Sequence, residues 1–377
     1  MNMKMNAENR KWTETDEKFM LRAMELADRG KGRVSPNPLV GAVIVRDGKV
    51  IGEGWHEYYG GLHAERNAFG NCGEDTEGAT MYVTLEPCCH HGKTPPCVDA
   101  VIEHRIARVF VGLTDPNPLV AGKGIEKLRA AGIEVIAGVE EARLKEQNRV
   151  FLKYITTKMP WVVMKTAMSL DGKIATATGD SRWVTGELAR HRVQEMRAEY
   201  MSVLVGAGTV KADDPLLNCR LEGDPRQCIR VVADSKAAIS FDSRIIETAR
   251  VFLTIIAHTR QAGEEQLEMI SDAGAECLLC QEKDGHVDVT DLLRKLGAKG
   301  IDSVLLEGGG ELNEAFIRDR AADELFAFIA PKIVGGRDAR TPVEGAGVER
   351  MSDAVLLTDI RTERIGEDVL IRGRFIK

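Results

Sequence analysis

The chain reads as an α/β protein in two domains, and three observations predict this. It has 377 residues, more than one typical domain holds. Hydrophobic residues make up 44% and charged residues 29%, the balance of an ordinary folded chain. Short β-rich runs alternate with helix-patterned segments along most of the sequence, and such alternation indicates layered α/β architecture.

The elements follow in order. Phe19, Met20, Ala23, Met24 and Ala27 recur at helical spacing within Asp16 to Arg29, and Gly30 stands at the stop position. Pro36-Asn37-Pro38 is a turn. Val40 to Val45 and Val50 to Trp55 form a hairpin through Asp47-Gly48, a pair suited to a tight turn. A helix over Ala64 to Gly70, a strand over Thr80 to Leu85, a helix over Cys97 to His104 and a strand over Arg108 to Leu113 are expected next. Ile125 to Ala131 reads as helix and Ile133 to Ile136 as strand. Glu140 to Lys158 is charged and helix-prone, and Met159-Pro160 follows it, so the boundary divides residues 1–158 from 159–377. The second series has strands at Trp161 to Thr166, Ser202 to Val205, Ile229 to Ala233, Val251 to Ile256, Asp302 to Leu306 and Leu325 to Ala330, with a helix at Glu187 to Glu199.

Composition narrows the function. Lys and Arg number 51 against 58 Asp and Glu, a net charge of −7, and aromatic residues are 5%. A chain that coats a polyanion is usually basic, and one that stacks bases is richer in aromatics, so nucleic acid is not the expected partner. No run of about 18 apolar residues suggests a membrane span. Met1 to Glu17 lacks the apolar core of a signal peptide, which predicts a cytoplasmic location. Cysteines that cluster in such a chain read as metal ligands or reactive thiols rather than disulfides.

The sharpest chemical signal is His63-Ala64-Glu65, then Pro87-Cys88, then Cys97. A hydrolytic zinc site needs three protein ligands and one open position for water. One imidazole and two thiolates supply them, and Glu65 is placed to shuttle protons if its segment opens a helix. The general deaminase pattern is His-x-Glu with Pro-Cys-x-x-Cys, whereas here the residues Cys89 to Pro96 separate Cys88 from Cys97. Cys88 is preferred over Cys89 because it follows Pro87 directly. A structural zinc site or three unrelated buried cysteines is the alternative. Asn37, His56, His90, His91 and Lys93 surround this core in sequence and suit a polar or anionic ring substrate, with an exposed hydrophilic loop as the competing reading, favoured for His91.

The second half carries weaker motifs. Lys165 to Gly172 ends a strand and enters a loop. Gly206-Ala207-Gly208-Thr209 lacks the third glycine of a dinucleotide fingerprint, because Lys211 stands there. Glu307-Gly308-Gly309-Gly310 lies between a strand and a helix, where glycines let backbone N–H groups approach a pyrophosphate; a tight β–α turn is the alternative. Thr209, Asp213, Asp214-Pro215, Leu217 and Arg220 read as a dense polar turn, and Arg197 with Arg220 could clamp a phosphate. Cys277-Leu278-Leu279-Cys280 has no neighbouring His and reads as a buried strand, not a redox or metal pair. Trp12 and Trp161 read as packing residues.

Pro36-Asn37-Pro38-Leu39-Val40-Gly41, His63-Ala64-Glu65, Thr84-Leu85-Glu86-Pro87-Cys88 and Gly92-Lys93-Thr94-Pro95-Pro96-Cys97 together resemble the bifunctional riboflavin-biosynthesis deaminase–reductase family. The resemblance covers nearly the whole chain, and the long spacing between the two cysteines is that family's own. It implies a cytidine-deaminase-like three-layer α/β/α domain followed by a dihydrofolate-reductase-like α/β domain. It also implies Zn2+ and NADPH as cofactors, phosphoribosylaminopyrimidine substrates and a homo-oligomer. The first domain would release the amino group of 2,5-diamino-6-(5-phosphoribosylamino)pyrimidin-4(3H)-one, with zinc on His63, Cys88 and Cys97 and Glu65 as proton shuttle. The second would reduce the ribosyl group of the product to ribityl. By the same resemblance the nicotinamide nucleotide would meet Ala167, Trp183, Thr209, Asp213, Ser235 and the turn Gly309, Gly310, Glu311, Leu312, Asn313, Glu314, Ala315. The second substrate would meet Ser181, Arg197, Leu217, Arg220 and Glu307. A phosphoribosylamine can open to an imine that accepts hydride; Lys165, Asp213 or water would donate the proton.

Two rival readings make different demands. A nucleic-acid-editing deaminase predicts a basic, aromatic-rich second half, which this chain lacks. A zinc-stabilised scaffold without activity gives Glu65 nothing to do.

Overall fold

A computed structural model describes residues 11–90, 95–117, 121–223 and 225–376. The chain divides into two compact units, Met1–Thr157 and Lys158–Lys377.

The first unit runs α1 (Glu14–Asp28), β1 (Gly41–Arg46), β2 (Lys49–Trp55), α2 (Ala64–Gly70), β3 (Thr80–Leu85), α3 (Cys97–Glu103), β4 (Arg108–Leu113), α4 (Lys123–Ala130), β5 (Glu134–Ala137), α5 (Glu141–Gln147) and α6 (Arg149–Thr157). Thr13 starts α1 with a capping box, its hydroxyl and the Asp16 carboxylate each meeting the other's backbone N–H. Asp47 and Gly48, with φ of 50° and 75°, make the tight turn of the β1–β2 hairpin. The sheet order is β2-β1-β3-β4-β5. The first three strands are antiparallel neighbours, whereas β3, β4 and β5 run parallel. One face buries Ile44, Met81, Val83, Val98, Val101 and Leu128; the other buries Met20, Leu26, Tyr82, Phe110 and Leu144. Helices cover both faces, giving the three layers expected. α2 lies so close to β2 that a Cβ on Gly54 would sit 2.2 Å from the backbone nitrogen of Ala68, so only glycine permits this approach. That contact fixes the helix whose first turn carries His63 and Glu65.

The second unit holds β6 (Trp161–Ser169), α7 (Glu187–Glu199), β7 (Ser202–Gly206), α8 (Ala207–Asp213), β8 (Ile229–Ala233), α9 (Arg244–Glu247), β9 (Thr254–His258), α10 (Glu264–Asp272), β10 (Glu276–Leu279), the short pair β11 (Glu282–Lys283) and β12 (His286–Val287), α11 (Val289–Ala298), β13 (Ser303–Gly308), α12 (Gly310–Arg318), β14 (Glu324–Ala330), β15 (Leu357–Ile365) and β16 (Asp368–Phe375). Its sheet order is β10-β9-β8-β7-β13-β6-β14-β16-β15. β10 through β14 in that order are parallel, and β16 and β15 close the sheet antiparallel. β13 therefore separates β6 from β7, and the loops leave neighbouring strand ends in different directions along the sheet. Such a switch opens a crevice at the carboxyl ends of the strands.

Several expected elements move. The strand expected at Val251 to Ile256 begins at Thr254, because Thr248 to Phe252 form a turn and Val251 and Leu253 face solvent. The first part of the polar turn expected over Thr209 to Arg220 is the helix α8, which ends at Asp213. Cys277 lies in β10, at one edge of the sheet, and Cys280 directly follows it; Cys280 is buried, Cys277 is half-buried and Leu279 is exposed, so this is an edge strand and not a buried one. Among the described residues no helix is long and apolar enough to cross a membrane.

Candidate functional sites

In the first unit, His63 is the N-cap of α2 and Glu65 lies in its first turn. Cys88 follows β3 in the loop, and Cys97 is the first residue of α3. Cys88 Sγ and Cys97 Sγ lie 3.5 and 3.3 Å from His63 Nδ1, and all three donor atoms fall within 4.8 Å of one another. Around a tetrahedral zinc, neighbouring ligand atoms are roughly 3.5 Å apart, so the three donors fit such an ion with one position open. Cys89 instead packs against the apolar core. Two contacts bring the loop back: Arg66 donates to the carbonyls of Pro95 and Pro96, and Val98 N–H donates to Cys88 O.

The electrostatics suit a cation. A hydrogen bond from the Cys97 thiol, joined by His63, pulls the Cys88 thiol down to about 4 against the opposing effect of burial. The same bond and burial push Cys97 well above its ordinary range. Glu65 is buried, and burial raises its carboxyl.

His56 lies edge-on to His63, with ring centroids 5.7 Å apart. Its Nδ1 faces Leu62 O at 2.9 Å and must donate there, so Nε2 accepts from Asn37 Nδ2 at 3.0 Å. Burial lowers the imidazole's pKa, which agrees with this neutral tautomer. Asn37 and His56 thus come together beside the triad. His90 is exposed, and His91 and Lys93 lie outside the described residues.

Two carboxylates here carried no role in the sequence reading. Glu86 is buried and accepts four backbone N–H groups, from Asp115, Gly122, Gly124 and Ile125, tying the strand end before Cys88 to the loop after β4. Asp115 is half-buried; burial raises its pKa, with the Glu86 charge adding and His90 opposing. The sequence signal was Asp115-Pro116-Asn117, polar residues and a proline directly after a strand.

In the second unit the motifs converge along the carboxyl ends of the strands. The β13–β7 register slips between Leu306 and Gly308, and the residue at the irregularity is Glu307. The Glu307 side chain is nearly buried, 9% exposed. It takes a bidentate pair from Arg197 at 2.6 and 2.9 Å, with Lys165 Nζ at 3.6 Å. Burial alone would raise this carboxyl, but the two cations hold it at about 2. Arg197 also donates to Asn218 O at 3.1 Å. Its guanidinium is buried and committed on both sides, whereas Arg220, its partner in the expected phosphate clamp, is exposed.

Thr209 donates to Gly308 O at 3.0 Å, which joins the two glycine turns. Gly309 adopts a φ of 106°, a conformation that needs glycine, and a Cβ there would meet Thr209 Oγ1. At Gly310 a Cβ would collide with the side chain of Glu344, so that glycine makes room for a neighbouring loop. Leu312 and Ala315 pack on the core and Glu314 pairs with Arg318, while Gly309, Gly310 and Glu311 open α12 directly after β13. Ser181 donates to Asp213 Oδ1 at 3.3 Å. Trp183 is 61% exposed under the Arg190 guanidinium, 4.6 Å from the ring centre. Ala167 lies on β6 beside Phe328, buried Leu217 follows α8, and Ser235 follows β8 and accepts from Val287 N–H. Asn218 Oδ1, Asp234 Oδ2 and Asn313 Oδ1 are buried acceptors without a protein partner. Of these, Asn313 Oδ1 lies beside the glycine turn, and an orphan acceptor there fits a ligand that offers hydroxyl or amide donors, as a nicotinamide nucleotide does.

Comparison with known proteins agrees with both halves. Residues 13–113 match the cytidine and deoxycytidylate deaminase zinc-binding region, and residues 160–371 match the RibD C-terminal domain. Riboflavin biosynthesis protein RibD of Actinobacillus pleuropneumoniae is 48% identical, over 95% of this chain and 95% of that protein. RibD of Escherichia coli K12 is 40% identical, over 94% of this chain and 98% of its own. Acinetobacter baumannii RibD superposes with a TM-score of 0.87 at 37% identity, covering 96% of this chain and 99% of its own. The Thermotoga maritima diaminohydroxyphosphoribosylaminopyrimidine deaminase/5-amino-6-(5-phosphoribosylamino)uracil reductase gives 0.84 at 42% identity, with the same coverage of 96% and 99%.

Proposed function

The chain belongs to the RibD family of bifunctional riboflavin-biosynthesis deaminase–reductases, and on that premise we propose which substrates it takes and which residues do the work. The first unit deaminates 2,5-diamino-6-(5-phosphoribosylamino)pyrimidin-4(3H)-one, and the second reduces the ribosyl group of the deaminated product with NADPH. The observation that carries the reading is the convergence of His63, Cys88 and Cys97 within 4.8 Å beside buried Glu65.

His63, Cys88 and Cys97 hold zinc. Zinc, when bound, supplies the Lewis acidity that makes water a nucleophile near neutral pH. Glu65 is placed to take one proton from the attacking water and pass it to the ring nitrogen, and then to carry the second proton of that water to the departing amino group, which leaves as ammonia. Asn37 offers its amide oxygen and its second amide hydrogen to the pyrimidine, His56 holds that amide in place with both ring nitrogens engaged, and His90 and Lys93 serve the substrate's polar and phosphate groups.

In the second unit Ala167, Trp183, Thr209, Asp213, Ser235 and the Gly309–Ala315 segment hold the cofactor, with Gly309 to Glu311 offering backbone N–H groups and Asn313 its free oxygen. A nicotinamide, when bound, supplies hydride. Ser181, Leu217, Arg220 and Glu307 position the substrate, and Arg197 acts by fixing Glu307. Lys165 protonates the nitrogen: its ammonium is a donor held at the crevice by Glu307, whereas Asp213 is an acceptor already engaged by Ser181. We also read the chain as a cytoplasmic homo-oligomer, on the family's example.

The test is an assay of both half-reactions with the purified chain. Ammonia release from the diaminopyrimidine and NADPH oxidation with the deaminated product are both expected. Loss of either, with the other intact, would remove that half of the reading.

A further inference from the structure

The stretch from Lys165 to Gly172 enters the catalytic reading only through Lys165 and Ala167, yet its end carries an unusual set of contacts. Asp171 is exposed, but its carboxylate accepts three hydrogen bonds: from Ser169 Oγ at 2.6 Å, Val334 N–H at 3.1 Å and Gly335 N–H at 2.7 Å. The first holds the β6 end, and the other two belong to the loop that leaves β14. Gly335 has a φ of 72°, a conformation suited to glycine that lets consecutive N–H groups turn toward one carboxylate. The Ser169 hydroxyl and the two amides pull Asp171 down to about 2, so the anion persists at any working pH.

Other bonds run between the same two loops. Leu170 N–H donates to Lys332 O at 2.8 Å, Ile174 N–H to Arg340 O at 2.9 Å and Lys173 Nζ to Ala339 O at 3.0 Å. Lys332 Nζ reaches back to the carbonyl of Trp183 at 2.8 Å. β6 and β14 are parallel neighbours with Ser169 opposite Ala330, so both loops leave the same edge of the sheet. Residues 170–186 and 331–340 are stitched side by side, and the indole expected to meet the cofactor hangs from the far end of the stitch.

We propose that Asp171 is a positioning residue of the reductase: its carboxylate latches the loop after β14 onto the loop after β6, so that Lys332 holds Trp183 in place for the nicotinamide nucleotide. Asp171 touches neither substrate nor cofactor. Its effect is on the free energy of ordering the cofactor-binding loops before the cofactor arrives. The inference rests on the reductase reading above.

The experiment compares the full-length protein with Asp171→Asn and Lys332→Met. Asp171→Asn keeps the shape but turns an amide NH2 toward groups that are themselves donors. It should raise the KM for NADPH about tenfold, the value of a hydrogen bond to a charged group, with kcat within about twofold. The KM for the pyrimidine and the rate of ammonia release should not move. Hydrogen exchange of the unliganded protein should show peptides from residues 170–186 and 331–340 opening faster together, with the strands unchanged. Lys332→Met should raise the KM for NADPH about threefold while the amides of Val334 and Gly335 stay protected. A KM for NADPH unchanged in Asp171→Asn, or a uniform fall in kcat with faster exchange throughout the sheet, would overturn the latch. A wild-type chain that does not oxidise NADPH would overturn the reductase reading and the latch with it.

Discussion

The two units place their chemistry in opposite ways. The first concentrates it: three donor atoms and one carboxylate come from the start of α2, the loop after β3 and the start of α3. The second disperses it along the carboxyl ends of its parallel strands and spends its charges on one another before any ligand arrives. Arg197 and Lys165 both face Glu307. A concentrated site of soft donors is defined by which elements it binds. A dispersed crevice is defined by how well its parts are held, so its single substitutions should act on positioning and stability as much as on chemistry.

The sharpest break of this contrast is Glu65→Gln. It should lower ammonia release by about a thousandfold, the usual worth of a general acid–base group, while zinc stays bound and NADPH oxidation with supplied product is unchanged. A variant that deaminates normally contradicts the role given to Glu65. Next in size is Glu307→Gln. It leaves the Arg197 guanidinium buried against a neutral partner, and breaking a buried pair costs roughly 3–5 kcal/mol. Thermal unfolding followed by a probe of the second unit should shift down by many degrees, and reductase activity should fall with it. An unchanged melting temperature would mean that the pair does not hold the crevice.

The pH dependence sharpens the same point. Glu307 has its pKa lowered from 4.5 to about 2 in the folded state, so the stabilisation it contributes is fully present above about 4.5. It should be lost as pH falls from there toward 2. Acid titration of the melting temperature should show wild type losing its advantage over Glu307→Gln in that window. A constant gap would contradict the assignment. The smallest effect belongs to Arg220→Ala. An exposed guanidinium that meets a substrate phosphate should alter the pyrimidine KM about tenfold and leave stability untouched. Equal KM values would remove Arg220 from the site.

These differences also explain what could be read from residues alone. His63, Glu65, Cys88 and Cys97 were legible because few roles suit that combination of donor types in that order, and the strands and helices around them are local and strongly patterned. Asp115 and Glu86 were not, because a carboxylate satisfied by backbone N–H groups leaves no trace in composition. In the second unit α8 was hidden by its polar residues, and β10 passed for a buried strand because its apolar run has no alternation. The commitment of Arg197 to Glu307 depends on a pairing between residues 110 positions apart. The β15–β16 hairpin went unread, since β15 is largely exposed at the edge of the sheet and has little apolar pattern to reveal it.

The central claim is that His63, Cys88 and Cys97 hold one catalytic metal ion beside Glu65. Metal analysis of the purified chain, run beside an ammonia-release assay, tests it most directly. About one zinc per chain is expected in the wild type and in Glu65→Gln, with zinc and ammonia release both lost in Cys97→Ser. Metal-free wild-type protein that releases ammonia at the full rate would contradict it.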